Sequence, residues 1–273
     1  MFYVKSRQSK IGSAFAILAL IYHCTVQAIR STNRNAFLAL LSAIMQTLIL
    51  ITAFYFMMSM LGMRRIAIRG DFIVYIMSGI FLYMTHIKTV SAVARSGGPT
   101  SAMMNHAPMN TIIAIAAAAL STLYLQLLTV FVVLYGYHVV VEPVHIDDPI
   151  GALGMILVAW FSGVAVGMVL LAITPWSPGF ANVATLIYTR ANMIASGKMF
   201  VANSLPATKV AIFDWNPLFH IIDQTRGYAF INYNPHVTNL HYPIYVSLVL
   251  IMIGLMAEFY TRRHASLSWN ATR

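Results

Sequence analysis

Long uninterrupted apolar runs constrain the fold of this chain more than any other feature of its sequence. Six runs read as membrane-spanning helices, at residues 36–61, 72–87, 111–135, 149–173, 180–200 and 242–260. About 20 apolar residues are needed to cross the hydrocarbon core of a bilayer as a helix. Hydrophobic residues make up 59% of the chain and charged residues 9%, whereas a soluble domain has about 25% charged residues. The sequence therefore predicts an all-α integral membrane protein.

A seventh run, at residues 11–30, differs from the other six. Ser13, His23, Thr25 and Gln27 interrupt it, and basic residues bracket it. We interpret it as a helix that lies in the membrane interface, although its length would also allow it to span. No small-residue cleavage site follows the run, which argues against a signal peptide. Residues 1–273 are thus expected to form a single transmembrane domain.

The charged residues indicate how the chain is oriented. With both termini in the cytoplasm, ten of the 17 basic residues lie inside and five outside, and two fall in the fifth run. An excess of Lys and Arg is typical of cytoplasmic loops. Six of the seven acidic residues fall outside, and Glu258 alone is near the inside. The sequence therefore predicts an N-in, C-in topology. The three arginines of residues 64–69 do not fit this prediction, because they fall on the outer side.

The sequence offers no motif for metal, nucleophile or nucleotide chemistry. Its single cysteine excludes an intramolecular disulfide and a Cys-based metal cluster. Residues 196–198 (Ser-Gly-Lys) resemble the end of a phosphate-binding loop, but the upstream Gly is missing and Met199 replaces the magnesium-binding Ser or Thr. His145, Asp147 and Asp148 stand in an outer loop and are interpreted as a solvated turn. We expect no catalytic site, no metal and no cofactor in this chain.

Two features of the predicted spans bear on function. Arg190 lies near the middle of the fifth run, where a charge is costly unless it faces water or a partner. It sits either near the cytoplasmic end of a tilted or re-entrant span, or on a water-filled path where it meets an anionic group. Gly163 and Gly167 form a GxxxG pattern, which predicts close helix packing of the fourth span, within the chain or between subunits.

The stretch WNPLFHIIDQTRGYAF, residues 215–230, is unusually polar for this chain. Asn216 and Pro217 predict a helix start, because Asn accepts from free N–H groups and Pro at the first position loses no hydrogen bond. In such a helix His220, Asp223 and Arg226 are three residues apart and fall along one face. The sequence therefore predicts a short helix with one polar face.

An ordered set of motifs resembles the C-terminal half of type-2 ABC exporter permeases, particularly those for capsular polysaccharide and O-antigen. The set comprises Ser-Gly at 196–197, Leu-Pro at 205–206, Asn-Pro-Leu at 216–218, His220, Asp223 and Arg226. In that family a similar run follows span five and forms short helices that re-enter the membrane from outside and help close the channel exit. The resemblance implies six spans, an N-terminal interfacial helix and an outer re-entrant gate segment at 201–235. The family more often has Glu where Asp223 stands; the shorter acid keeps the charge but would pair more weakly with Arg226 across one turn.

The resemblance also implies a function and partners. The chain would be the permease subunit of a polysaccharide exporter in the bacterial inner membrane, with a second copy completing the channel. Its gate and translocation path would use Arg190, Trp215, Asn216, Pro217, His220, Asp223 and Arg226, satisfied by water, substrate or the partner subunit. A separate cytoplasmic ATPase would bind ATP and couple through Arg30, Arg34 and Arg95. Periplasmic or outer-membrane polysaccharide export proteins would be further partners, the lipid bilayer would surround the chain, and no nucleic acid is expected.

Other cargoes and other classes of protein remain open. The same fold could carry a teichoic acid, a glycolipid or a drug. An ion-coupled secondary transporter often has internal repeats and acidic residues within its spans, but no convincing repeat is present and all but one of the acids lie in loops. A membrane-embedded transferase would need carboxylates or histidines clustered on one side, and the outer acids are dispersed.

Overall fold

The computed structural model describes residues 10–32, 35–62, 71–97 and 110–264 of the chain. Every regular element within these ranges is a helix. In chain order they are α1 (Lys10–Thr32), α2 (Ala36–Met60), α3 (Phe72–Ala94), α4 (Thr111–Val140), α5 (Pro149–Ile173), α6 (Pro178–Ala195), α7 (Ala207–Phe213), α8 (Pro217–Ala229) and α9 (His241–His264). A short 3-10 turn, Ala202–Ser204, lies between α6 and α7.

Five of the helices, α2, α3, α4, α5 and α9, are long and apolar enough to cross a membrane. The predicted class, an all-α multi-pass membrane protein, is thereby confirmed. In α1 the apolar stretch is shorter and covers Ala14–Arg30. The interfacial position of α1 stays a prediction.

The fifth predicted span ends earlier than the sequence indicated. The prediction placed it at residues 180–200, but α6 ends at Ala195. The chain then turns through Gly197, whose φ of 74° is readily adopted by glycine. With 18 residues α6 is about 27 Å long, and it is not among the membrane-capable helices of the described residues. The apolar side chains of Met199 and Phe200 had lengthened the run, although they belong to the turn.

Two other predicted spans are longer in the structure. The third helix continues past residue 87 to Ala94, and the fourth continues past residue 135 to Val140. In α3 the apolar run had stopped at Lys88, because a charge usually marks the end of a span. Lys88 instead donates a 2.5 Å hydrogen bond to Oε1 of Gln46 on α2. A neighbouring helix therefore accommodates the charge, and α3 continues.

The bundle is built around α3. In its most apolar stretch 83% of the residues are buried, against 22% in α2 and in α9. The helix packs against α2, α4, α5, α6 and α8. Because neighbouring helices screen α3 from the surroundings, it can carry polar residues such as His86 and Thr89 in its buried part.

Two glycines of α5 allow a close helix contact. A Cβ atom at Gly163 would lie 2.7 Å from the carbonyl oxygen of His86, and one at Gly167 would lie 2.7 Å from Cβ of Val93. Both partners belong to α3. The tight packing that the GxxxG pattern predicted is therefore confirmed, and the contact is made within the chain. Small residues stabilise membrane helices in this way because they bring two backbones within van der Waals contact.

We predict different effects on stability for two glycine substitutions in α5. Gly163→Ala should lower the free energy of unfolding by about 1–3 kcal/mol, because the new methyl group meets α3 backbone. Gly154→Ala is the matched control, since no atom lies within 4 Å of a Cβ at that position. It should leave stability unchanged or raise it by up to about 1 kcal/mol, because alanine favours the helix. Thermal unfolding in mild detergent measures both, and equal shifts would contradict the predicted contact.

Candidate functional site

The polar stretch predicted from the sequence forms α8, and its start is the predicted one. The side chain of Asn216 accepts a 3.1 Å hydrogen bond from the backbone N–H of Leu218, and Pro217 occupies the first turn. The amide of Asn216 also donates to the side-chain oxygen of Asn192 and to the carbonyl of Ala195, both at 2.9 Å. Asn216 therefore caps α8 and fastens it to the end of α6.

Helix α8 lies across one end of the bundle, the end predicted to face outside. Before its first residue, the carbonyl of Trp215 accepts a 2.9 Å hydrogen bond from the Tyr242 hydroxyl in the first turn of α9. Near its last residue, the carbonyl of Tyr228 accepts from the N–H of Asp148, the N-cap of α5. These contacts hold α8 over the adjoining ends of the long helices. Its apolar residues Leu218, Phe219, Ile221 and Ile222 are buried beneath it.

Arg226 is almost completely enclosed, with 1% of its surface exposed. Its Nη1 atom donates to the carbonyls of Gly197 and Phe200 at 3.1 and 2.7 Å, and Nη2 donates to the carbonyl of Lys198 at 2.9 Å. The guanidinium also lies 4.2 Å from the ring centre of Tyr75 on α3. Arg226 thus ties α8 to the turn that follows α6.

Asp223 does not pair with Arg226, so the expected pair across one helical turn is wrong. Its Oδ1 accepts a 2.5 Å hydrogen bond from the Tyr233 hydroxyl, and Oδ2 accepts a 2.8 Å hydrogen bond from the Thr238 hydroxyl. Both donors lie in the segment after α8. Burial, together with the hydrogen bond to Asp223, raises the pKa of Tyr233 above its ordinary value, which keeps this hydroxyl protonated as a donor. Because both oxygens of the Asp223 carboxylate already accept hydrogen bonds, Arg226 donates to backbone carbonyls instead.

His220 is held from two sides and has one defined tautomer. Its Nδ1 accepts a 3.0 Å hydrogen bond from the N–H of Asn239, so the ring proton is on Nε2. Nε2 donates to the carbonyl of Asp214 at 2.7 Å and lies 3.2 Å from its Oδ1. The imidazole also contacts the ring of Tyr242, with 4.7 Å between centres.

The polar face of α8 therefore finds its partners within the chain. The expectation that water, substrate or a partner subunit would satisfy it is wrong for His220, Asp223 and the two Nη atoms of Arg226, whose Nε has no hydrogen-bond partner among the described residues. Each has 3% or less of its surface exposed and bonds to residues outside α8. The reason is that the loops before and after α8 fold back over it and supply hydroxyl and backbone groups.

A second buried cation, Lys198, adjoins Arg226, and the sequence did not point to it. It is 2% exposed, donates a 2.7 Å hydrogen bond to the carbonyl of Met193, and lies 3.5 Å from the ring centre of Tyr83. Gly79 on α3 makes room, since a Cβ there would lie 2.8 Å from Cβ of Lys198. In the sequence Lys198 is a charge directly after an apolar run, and we interpreted it only as part of an incomplete phosphate-binding loop.

A polar cluster deeper in the bundle was also missed. Nδ1 of His86 on α3 lies 2.8 Å from the Ser162 hydroxyl on α5, and Nε2 lies 2.8 Å from the Tyr188 hydroxyl on α6. The Tyr83 hydroxyl donates to the carbonyl of Thr189 at 3.3 Å. These contacts connect α6 to α3 and α5. The sequence does show polar residues within apolar runs, but which of them bond to each other depends on the fold.

The side chains of Arg190 and Trp215 do not join the buried polar residues of α8. Arg190 is exposed on α6, on a surface with Val183, Ile187 and Ile194, and makes no hydrogen bond or ion pair with the residues that the structure describes. The ring of Trp215 is exposed as well. Of the seven predicted path residues, the structure thus groups Asn216, Pro217, His220, Asp223 and Arg226.

The predicted coupling residues are only partly described. Arg30 is exposed in the last turn of α1, and Arg95 is exposed directly after α3. Arg34 lies outside the described residues. Within the described ranges no three His, Cys, Asp or Glu side chains are close enough to hold a metal ion.

Comparison with known proteins does not identify a family. Neither a model of a known protein family nor a curated protein sequence matches the chain. The family resemblance of residues 196–226 therefore stays a prediction. The geometry of α8 stands independently of it.

We predict that Arg226 has a strong effect on stability. Arg226→Ala should lower the free energy of unfolding by roughly 3 kcal/mol, because three buried carbonyls lose their donor. Arg226→Lys should lose less, since it keeps the charge but cannot donate to all three carbonyls. Arg190→Ala is the control for loss of a positive charge and should change stability by less than about 0.5 kcal/mol. If thermal unfolding shows equal stability for both alanine variants, the stabilising role assigned to the buried Arg226 contacts is wrong.

Proposed function

We propose that this chain is the permease subunit of an ATP-driven exporter that moves a polysaccharide across the bacterial inner membrane. The cargo would be a capsular polysaccharide or a lipid-linked glycan. The observation that carries the proposal is α8, a short helix anchored across the outer end of a membrane bundle by buried polar contacts. It supports the exit-closing role that the sequence resemblance implies. An outer closure of this kind suits a protein that must keep the membrane sealed between transport events.

The surface of α6 supports a path between two copies of the chain. The helix exposes Val183, Ile187 and Ile194 in line with Arg190. An arginine facing hydrocarbon costs several kcal/mol, so this face is better suited to water or to a protein partner than to lipid. In the proposed dimer the two α6 helices border a wet path, and Arg190 attracts an anionic glycan or a lipid phosphate.

Helix α3 supports a way to connect a separate ATPase to the outer closure. Arg95 stands exposed after its last turn, at the end predicted to be cytoplasmic. Near the other end Tyr75 contacts Arg226, and Gly79 adjoins Lys198. In the proposal the ATPase pushes on the segment at Arg95, and α3 transmits the displacement to α8 as a rigid element. Arg34 would complete the docking surface, and Arg30 would lie beside it.

A teichoic acid, a glycolipid or a drug would suit the same proposed mechanism as alternative cargo. One observation favours a different class, an ion-coupled transporter. Glu258 in α9 is buried, and its Oε1 has no hydrogen-bond partner among the described residues. Carboxylates within spans often bind a coupling proton or cation. Since the other six acids lie outside the predicted spans, this class has a single candidate residue, and we rank it second.

Purification in mild detergent from the native membrane distinguishes the two classes. We expect a stoichiometric P-loop ATPase to accompany the chain, because no nucleotide-binding motif is present in the sequence itself. Mass spectrometry of the complex identifies it. If the chain instead purifies without an ATPase and transports on an ion gradient in vesicles, the exporter proposal is wrong. Glu258→Gln should then abolish that transport.

We also predict that α6 borders water. In a Cys24→Ala background, Arg190→Cys and Ile187→Cys in the native complex should react with a membrane-impermeant thiol reagent in at least one nucleotide state. Met252→Cys on the exposed surface of α9 is the matched control, and it should stay unlabelled because it faces lipid. Labelling rates measured by mass shift provide the test. If neither position on α6 is labelled in any nucleotide state, the path does not run along α6.

A further inference from the structure

An open apolar groove lies between α1, α2 and α4, on the side of the bundle away from α8. Its volume is about 690 Å³. This is within the range of about 300–1,000 Å³ typical of sites for small organic ligands. Leucine, valine and aromatic side chains dominate its walls, among them Val26, Phe37, Leu40, Leu123 and Leu128. The groove is therefore suited to a hydrocarbon chain.

The groove ends at a positive charge that no described residue neutralises. Arg30 borders it in the last turn of α1, is exposed, and makes no hydrogen bond or ion pair within the described part of the chain. A second, smaller cavity is lined by His23, Val26, Gln27 and Arg30. The two cavities share Val26 and Arg30. An apolar groove thus adjoins a polar cavity, and Arg30 lies at their junction.

We propose that this double cavity binds one anionic phospholipid of the surrounding bilayer. Its acyl chain occupies the groove, and its phosphate accepts hydrogen bonds from Arg30 and Gln27. Arg30 lies just before α2, on the predicted cytoplasmic side, where anionic headgroups attract basic residues. The bound lipid fastens α1 to α2 and α4. This inference does not depend on the proposed transport function.

Charge complementarity favours a lipid over a second copy of the chain. A protein partner covering the groove would need an acidic side chain to meet Arg30. Six of the seven acids fall on the predicted outer side, and the seventh, Glu258, is buried. A second copy therefore has no exposed acidic side chain to offer at this level of the membrane. A phospholipid supplies both the negative charge and the apolar chain.

Lipid titration of the full-length protein tests the proposal. Protein stripped of native lipid is titrated with phosphatidylglycerol or with phosphatidylcholine of identical acyl chains, and bound lipid is counted by native mass spectrometry. We expect one phosphatidylglycerol to bind about fivefold more tightly than phosphatidylcholine, because the choline group cancels the charge of the phosphate that both lipids carry, and one arginine gains about 1 kcal/mol from a net negative headgroup. Arg30→Ala should abolish this preference. Ala36→Trp, at an exposed position of the groove wall, should weaken binding of both lipids.

A matched control separates the site from general surface charge. Arg262 is exposed in the last turn of α9, so Arg262→Ala removes the same charge from the same helix position and should bind lipid like the unmodified chain. Arg30 also stabilises the dipole of its helix, but a purely structural role would not change lipid preference. The proposal is overturned if Arg30→Ala keeps the preference, if Arg262→Ala loses it equally, or if Ala36→Trp has no effect. Lipid-free dimers that cross-link through a cysteine at position 36 would assign the groove to a second copy and overturn it too.

Discussion

A charged group buried in a membrane protein has to find its partners inside the fold, and Arg226 sets this condition for the end of the bundle that α8 covers. Its guanidinium needs several acceptors at once, and a single turn after α6 supplies three carbonyls. That turn exists because α6 stops at Ala195 and Gly197 adopts a left-handed conformation. The early end of α6, the turn at residues 197–200 and the position of α8 together satisfy this hydrogen-bonding requirement.

The central position of α3 follows from the same requirement. Helix α3 makes polar contacts at three levels, where Tyr75 contacts Arg226, His86 bonds to Ser162 and Lys88 bonds to Gln46. These polar groups require other helices around α3. Close contact with α5 through Gly163 provides much of this cover. Because lipid tails are as apolar as the side chains, contact of this kind depends on backbone approach and hydrogen bonds more than on hydrophobic burial. The polar residues of α3 are therefore possible because of the glycines of α5.

Local features of the sequence predicted local features of the structure well. The Asn216-Pro217 start of α8 could be predicted because a helix cap depends on neighbouring residues, and the spans because they depend on apolar length. The partners of His220, Asp223 and Arg226 could not be predicted, since Asn239, Tyr233 and residues 197–200 come from elsewhere along the chain. The predicted ends of several helices were wrong for a related reason. A charge such as Lys88 ends an apolar run in the sequence, whereas in the fold a neighbouring side chain accommodates it.

Helix α6 adds polar links to its apolar packing, in which Ala184 and Tyr188 contact a cluster of Val90, Ala94 and Leu170 on α3 and α5. It is joined to its neighbours by polar links, from Tyr188 to His86, from Tyr83 to the carbonyl of Thr189 and from Asn192 to Asn216. Water can replace the partner in a hydrogen bond at small net cost, but it cannot replace the backbone contact at Gly163. Entry of water along the proposed path would therefore loosen α6 while α3 and α5 stay packed. In the proposed mechanism the α3–α5 contact would serve as the rigid core and α6 as the helix that moves.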